Sequence, residues 1–156
     1  MRIIIIAIAL LISLAQCSSS DDVVFSQKVN FEEDSWPRFK KLDFEIPVEH
    51  PGSHYNLFFT LHYSSQFPHD NIPLHAILKT PGGEERIYEF TIEVRDNTGK
   101  EMGKKPEGSS YYYLEAPLWQ GVSLKEGEAF LSLEQIIPKY STPGISKAGI
   151  RIYEAG

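Results

Sequence analysis

Cysteine is almost absent from this chain: Cys17 is the only one in 156 residues. No disulfide can form within these residues, so burial and hydrogen bonds must hold the fold, and Cys-rich metal clusters and redox pairs are excluded. Bases are also in the minority. Fifteen Lys and Arg against 21 Asp and Glu leave a formal charge of −6, which argues against nucleic acid or anionic headgroups as ligands, because such binders carry a basic face. Long apolar runs are limited to Ile3–Leu14, whose 12 residues fall short of the ~20 that a bilayer core of ~30 Å requires. Beyond that run, no stretch of ten residues carries a helical period.

What is present begins with Arg2, the apolar run and Cys17, followed by Ser18, Ser19, Ser20, Asp21 and Asp22. A positive n-region and a short h-region read as a secretory signal peptide over residues 1–16. Leu14-Ala15-Gln16-Cys17 resembles a lipobox, although Gln16 stands where a small residue is usual. That resemblance implies a diacylglyceryl group on the Cys17 thiol, cleavage that makes Cys17 the first mature residue, and acylation of its amine. Two or more acyl chains hold a protein to a membrane stably where one does so only marginally. The alternative is an ordinary signal cut after Ala15 or Gln16, leaving a free thiol. Residues 17–22 are a polar tether. Their acidic residues resemble the surface-export signal of Bacteroidetes lipoproteins, and a plain solvated linker is the competing account. Removing residues 1–16 leaves about 140 residues, the size of one domain over 23–156, and loss of Arg2 takes the formal charge from −6 to −7.

Aromatics make up 12% of the chain, and 10 Pro and 11 Gly punctuate short alternating runs, the pattern of an all-β domain. Val23–Phe31 is a first candidate strand. Leu42, Phe44, Ile46 and Val48 alternate with Lys41, Asp43, Glu45 and Pro47, as a half-buried strand requires. Tyr55, Leu57, Phe59, Leu61 and Tyr63 share one face of a third strand. Phe58 lies on its other face among Asn56, Thr60 and His62, which predicts a central strand covered on both sides. Ile72–Leu78 is a fourth, and Pro73, having no amide donor, is expected at its start or at a sheet edge. Thr80-Pro81-Gly82-Gly83 predicts a hairpin turn into Arg86, Tyr88, Phe90, Ile92 and Val94. Arg95–Ser110 is a polar loop carrying Arg95, Lys100, Lys104 and Lys105, and loops of this length often carry function. Tyr111–Leu118, Ala129–Ile137 and Ala148–Tyr153 complete eight strands. The expected fold is a single two-sheet β-sandwich, jelly-roll-like or immunoglobulin-like.

No catalytic constellation accompanies it. His50 and His54 have a helical spacing that Pro51, Gly52 and Ser53 deny them, and His62, His69 and His75 have no Cys or spaced carboxylate to complete a metal site. Ser64 and Ser65 lack a nucleophile elbow. The pairs Glu32/Glu33 and Glu84/Glu85 point to opposite faces if they lie on strands. The sequence therefore predicts no enzyme, no cofactor and no metal. Its most distinctive cluster is Tyr111, Tyr112 and Tyr113 with Trp119, next to the bases Lys100, Lys104 and Lys105. Exposed aromatics of this kind anchor protein partners or stack on sugar rings, although Tyr also packs well at sheet rims without any ligand.

Taken in order, several segments resemble one family. Trp36, Phe44-Glu45-Ile46-Pro47, Tyr55-Asn56-Leu57, Gln66–Ile72, Pro81-Gly82-Gly83, Gly103-Lys104, Leu133-Glu134-Gln135, Pro143-Gly144-Ile145 and Gly149-Ile150-Arg151-Ile152 follow the lipobox Cys as in the gliding-motility lipoprotein H family of the Bacteroidetes. The chain departs from that pattern at Phe67-Pro68-His69-Asp70-Asn71-Ile72, where Tyr-Pro-Tyr-Ser-Asn-Leu is common, and at Met102, close to where a Trp is common. The resemblance implies a non-catalytic outer-membrane lipoprotein that is accessory to gliding and its secretion apparatus, with other envelope proteins as partners. A carbohydrate-binding module on a surface lipoprotein is the alternative.

Overall fold

The structure, a computed structural model, describes residues 22–155; Cys17 and the signal segment lie outside them. The chain runs through β1 (Asp22–Asn30), a short 3-10 turn (Glu32–Asp34), β2 (Ser35–Pro37), β3 (Leu42–Val48), β4 (His54–Tyr63), β5 (Asn71–Lys79), β6 (Glu85–Glu93), β7 (Tyr112–Pro117), β8 (Val122–Ser123), β9 (Gly127–Gln135), β10 (Ser141–Pro143) and β11 (Ile145–Glu154). One sheet has the order β1-β11-β4-β7, with β8 also on β4; the second has the order β3-β9-β5-β6; β2 and β10 form a short ribbon. Every pairing between these strands is antiparallel.

Period-two alternation builds the core between the sheets. Leu57, Phe59, Leu61 and Tyr63 of β4 and Ala148, Ile150 and Ile152 of β11 point inward, as do Leu42, Phe44 and Ile46 of β3, Leu74, Ala76 and Leu78 of β5, and Leu131 and Leu133 of β9; all are buried. At ~25 cal/mol per Å² of apolar surface, this interior supplies most of the stabilisation. The β2–β10 ribbon closes one end. Trp36 on β2 is fully buried, its ring centroid 5.1 Å from Phe31 and 6.4 Å from Phe59, and its indole N–H donates to the Lys40 carbonyl (3.0 Å). Gly144, between β10 and β11, has φ +79° and lies so close to the next loop that a Cβ would sit 2.2 Å from the Phe67 amide nitrogen. Only glycine fits there.

The two-sheet sandwich agrees with the sequence, and Leu42–Val48 agrees to the residue. Strand number differs: among the described residues there are eleven, because β2, β8 and β10 are two or three residues long and carry no readable period. The last strand begins at Ile145 rather than Ala148. Pro73 is a correction. It lies in an inner strand, third from its start, but pairing of β5 with β9 begins only at Leu74↔Gln135. Beyond that point Pro73 offers its carbonyl to the Ile136 amide (3.1 Å), so the missing N–H breaks no ladder bond.

Candidate functional site

The Arg95–Ser110 segment is a loop, as the sequence predicts, and it is tied down at several points. Arg95 and Glu101 form an isolated antiparallel bridge, and the Arg95 guanidinium binds the Glu101 carboxylate at 2.7 Å and the His69 carbonyl at 2.9 Å. The Asp96 carboxylate accepts from the Thr98 hydroxyl (2.6 Å) and from the amides of Thr98 (2.8 Å) and Lys100 (3.0 Å), and these bonds hold its pKa below the usual carboxylate value. Lys104 and Tyr113 exchange both backbone hydrogen bonds (2.8 and 2.7 Å). Next to this bridge Gly103 lies against Tyr63, where a Cβ would be 2.9 Å from the Tyr63 hydroxyl. That hydroxyl accepts from the Gly103 amide (3.2 Å) and donates to the Val94 carbonyl (3.3 Å); burial pushes its pKa up to about 12. The segment is tied to the sheet at several points, and its bases Lys100, Lys104 and Lys105 are exposed.

The three tyrosines diverge. Tyr112 stacks on Tyr63 (5.3 Å, 21°) beneath the Lys105 ammonium, which lies 5.6 Å from its centroid. Tyr113 faces the outer side of the five-stranded sheet, against His62 (4.9 Å) and 5.8 Å from the Lys28 ammonium. Burial raises its pKa and lowers that of His62. Tyr111 donates to Asp34, far from the other two, and that bond raises its pKa. Trp119 belongs elsewhere, packing edge-on against Phe90 (5.0 Å), which in turn meets Tyr88 (4.6 Å). The structure therefore brings Lys104 to Tyr113 and Lys105 to Tyr112, while it separates Lys100, Tyr111 and Trp119 from them.

Two groupings escaped the sequence reading. On the outer face of the five-stranded sheet, the Glu115 carboxylate accepts from both Tyr113 (2.8 Å) and Tyr153, with Arg151 at 3.7 Å. Phe58 packs edge-on against Tyr153 (5.3 Å). Burial pushes the Tyr153 phenol up to about 12. The alternation of β4, β7 and β11 was readable, but their adjacency was not. The second grouping is a groove of about 990 Å³ along the four-stranded sheet, lined among others by Asp43, Glu45, Ile77, Phe130, Ser132 and Gln27. Among the described residues, no cluster of three or more His, Cys, Asp or Glu is placed to hold a metal. The Glu115 carboxylate is thus shared between two phenols with a guanidinium beside them.

No curated protein matches the chain. Among solved structures it is similar to AlgX of Pseudomonas aeruginosa (15% identity, TM-score 0.41), with 88% of this chain and 28% of that one covered. It is also similar to a non-crystalline cellulose specific carbohydrate-binding module, CBM28 (12% identity, TM-score 0.41), with 84% and 75% covered. The chain thus spans little more than a quarter of AlgX, and likenesses this distant carry no function to it. The family comparison is specific: the GldH lipoprotein profile matches residues 23–152, nearly the whole of the two-sheet domain, and the chain belongs to that family.

Proposed function

We propose that this protein is a non-catalytic accessory or structural component of a gliding-motility or secretion-type envelope machinery, held to the outer membrane by acyl chains on Cys17. The observation that carries this reading is the lipoprotein-family match over residues 23–152, which starts six residues after the one cysteine of the chain. Cys17 lies outside the described residues, and the lipobox supports its role. The partners are other envelope proteins. The exposed ammonium groups of Lys104 and Lys105, beside Tyr113 and Tyr112, form the contact surface, with Lys100, Tyr111 and Trp119 at separate positions. A tied-down segment suits such a surface, since a loop already ordered loses little entropy on binding.

Intact mass of the membrane-extracted protein, with and without Cys17→Ser, tests the anchor. The expected result is a mass for residues 17–156 plus acyl chains that the variant loses. An unmodified mature chain in the soluble periplasm would overturn it. Alanine at Lys100, Lys104 and Lys105 together, all exposed, should abolish partner recovery without lowering the melting temperature; unchanged partners would remove this surface from consideration.

A second reading, a glycan-binding module, is favoured by the groove on the four-stranded sheet. Phe130 is partly exposed within it, ringed by Asp43, Glu45, Ser132 and Gln27, and an aromatic face among hydrogen-bonding groups suits the two-sided chemistry of a sugar ring. Titration with neutral oligosaccharides should quench exchange at Phe130 and its neighbours. If no sugar raises the melting temperature, this reading fails.

A further inference from the structure

β6 is the outer strand of the four-stranded sheet. β5 pairs with it continuously from Asn71↔Glu93 to Lys79↔Glu85, and among the described residues no strand lies on its other side. It is nine residues long, contains no proline and has no bulge in its pairing. Proteins seldom leave such an edge bare, because its unpaired N–H and C=O groups template another strand. β7, at the corresponding border of the other sheet, is protected: Lys104 bridges to Tyr113, and Pro117 ends the strand.

The two faces of β6 specify what it would accept. One face carries Glu85, Ile87, Glu89, Thr91 and Glu93, so a carboxylate recurs at every second outward position. Lys79 lies 3.6 Å from Glu85 and His75 lies 3.9 Å from Glu89, while Glu93 has no cation within reach among the described residues. The other face carries Arg86, Tyr88, Phe90 and Ile92. Ile87 and Tyr88 are 58% and 57% exposed. The Tyr88–Phe90–Trp119 ring contacts carry this apolar wall inward from the edge. Further along, a groove of about 270 Å³ between β6 and β7 is lined by Ile92, Met102, Leu114 and Ala116, among others.

A second copy of the chain is a poor occupant. In the full-length antiparallel register between two β6 strands, Glu85 meets Glu93 and Glu89 meets Glu89, and like charges directly opposite one another destabilise a pair. The same row of carboxylates favours a strand of opposite sign. We propose that β6 binds an extended segment of another protein as a fifth strand of its sheet. The outward residues of that segment are Lys or Arg and its inward residues are apolar or aromatic. Main-chain hydrogen bonds supply affinity, and the alternate side chains supply specificity. The site does not depend on lipidation of Cys17.

The probe is an end-capped nine-residue peptide alternating lysine with valine or phenylalanine, added to the mature protein in a neutral detergent. Two controls are a peptide with the same residues sorted into a lysine block and an apolar block, and an alternating peptide with glutamate in place of lysine. The alternating lysine peptide should change Trp119 fluorescence saturably over the constant emission of Trp36, which is fully buried, and should slow amide exchange on β6. Paired substitutions Glu89→Lys and Glu93→Lys should weaken that peptide roughly tenfold and favour the glutamate peptide, because charge complementarity sets partner choice. The proposal is overturned if the block peptide binds equally well, if protection appears away from β6, or if nothing binds. Sedimentation that shows self-association lost in the paired variant would make a second copy the occupant and overturn it as well.

Discussion

β4 and β6 carry the same kind of alternating sequence and sit in opposite surroundings. β4 lies between β11 and β7, and even its outward residues are covered: Thr60 is buried, and Phe58 and His62 lie against Tyr153 and Tyr113. Among the described residues β6 has a neighbouring strand on one side only, and at Tyr88 even its inward face is open. Alternation tells which way a side chain points. How much covers it depends on where the strand falls in the sheet.

The comparison breaks most severely if Phe59→Arg is tolerated. An unpaired charge at this fully buried position should cost several kcal/mol and abolish soluble folding; a normal melting curve would show that β4 is not the centre of the sandwich. Gly103→Val comes next. Its new Cβ would meet the Tyr63 hydroxyl at 2.9 Å and the Tyr113 carbonyl at 3.0 Å, so the urea midpoint should fall by the equivalent of about 1–3 kcal/mol. An unchanged midpoint would mean that the 95–110 segment is loose. Tyr113→Phe removes one donor from Glu115 and should cost about 1 kcal/mol, measured in the same way. On β6, Ile87→Lys should change stability by no more than about 0.5 kcal/mol. A larger loss would show that the β6 edge is already covered.

The smallest effect concerns the turn that leads into β4. The His50 ring N–H donates to the Glu154 carboxylate at 2.8 Å, while the Ser53 hydroxyl donates to the same carboxylate at 2.6 Å. The Glu154 hydrogen bond and charge raise the His50 pKa above its ordinary 6.5, so the pair contributes fully below the unfolded value and is lost as pH rises through the folded one. Glu154 is held below its ordinary value by Ser53 and His50, so its share is lost as pH falls through that lowered value. A slight decline in melting temperature from pH 6 to 8, absent in His50→Gln, is the expected signature; identical profiles would place the turn outside the cooperative unit.

The long strands were legible because apolar residues recur at period two and Pro-Gly turns separate them, as at Thr80–Gly83. The ribbon that buries Trp36 was not, since three residues of β2 and three of β10 carry no period and are paired across the chain, Trp36 with Thr142. The site was legible in part. Alternation already sent Tyr112 and Tyr113 to opposite faces, but no local signal joins Tyr111 to Asp34 or Trp119 to Phe90, because those contacts exist only once the sheets have closed. The unguarded border at β6 was hidden for the same reason.

The pairing of β1 with β11 has a mechanical consequence. A load applied along β1 enters at Asp22, which lies opposite Glu154, and the eight matched positions continue to Asn30↔Lys147. Hydrogen bonds in an antiparallel ladder run perpendicular to the strands, so tension along β1 strains the whole row in shear instead of peeling it one bond at a time. Rupture under force is governed by the rate of unfolding rather than by equilibrium stability. A domain loaded along a sheared strand can therefore withstand a pulling force for far longer than one whose terminal strand unzips.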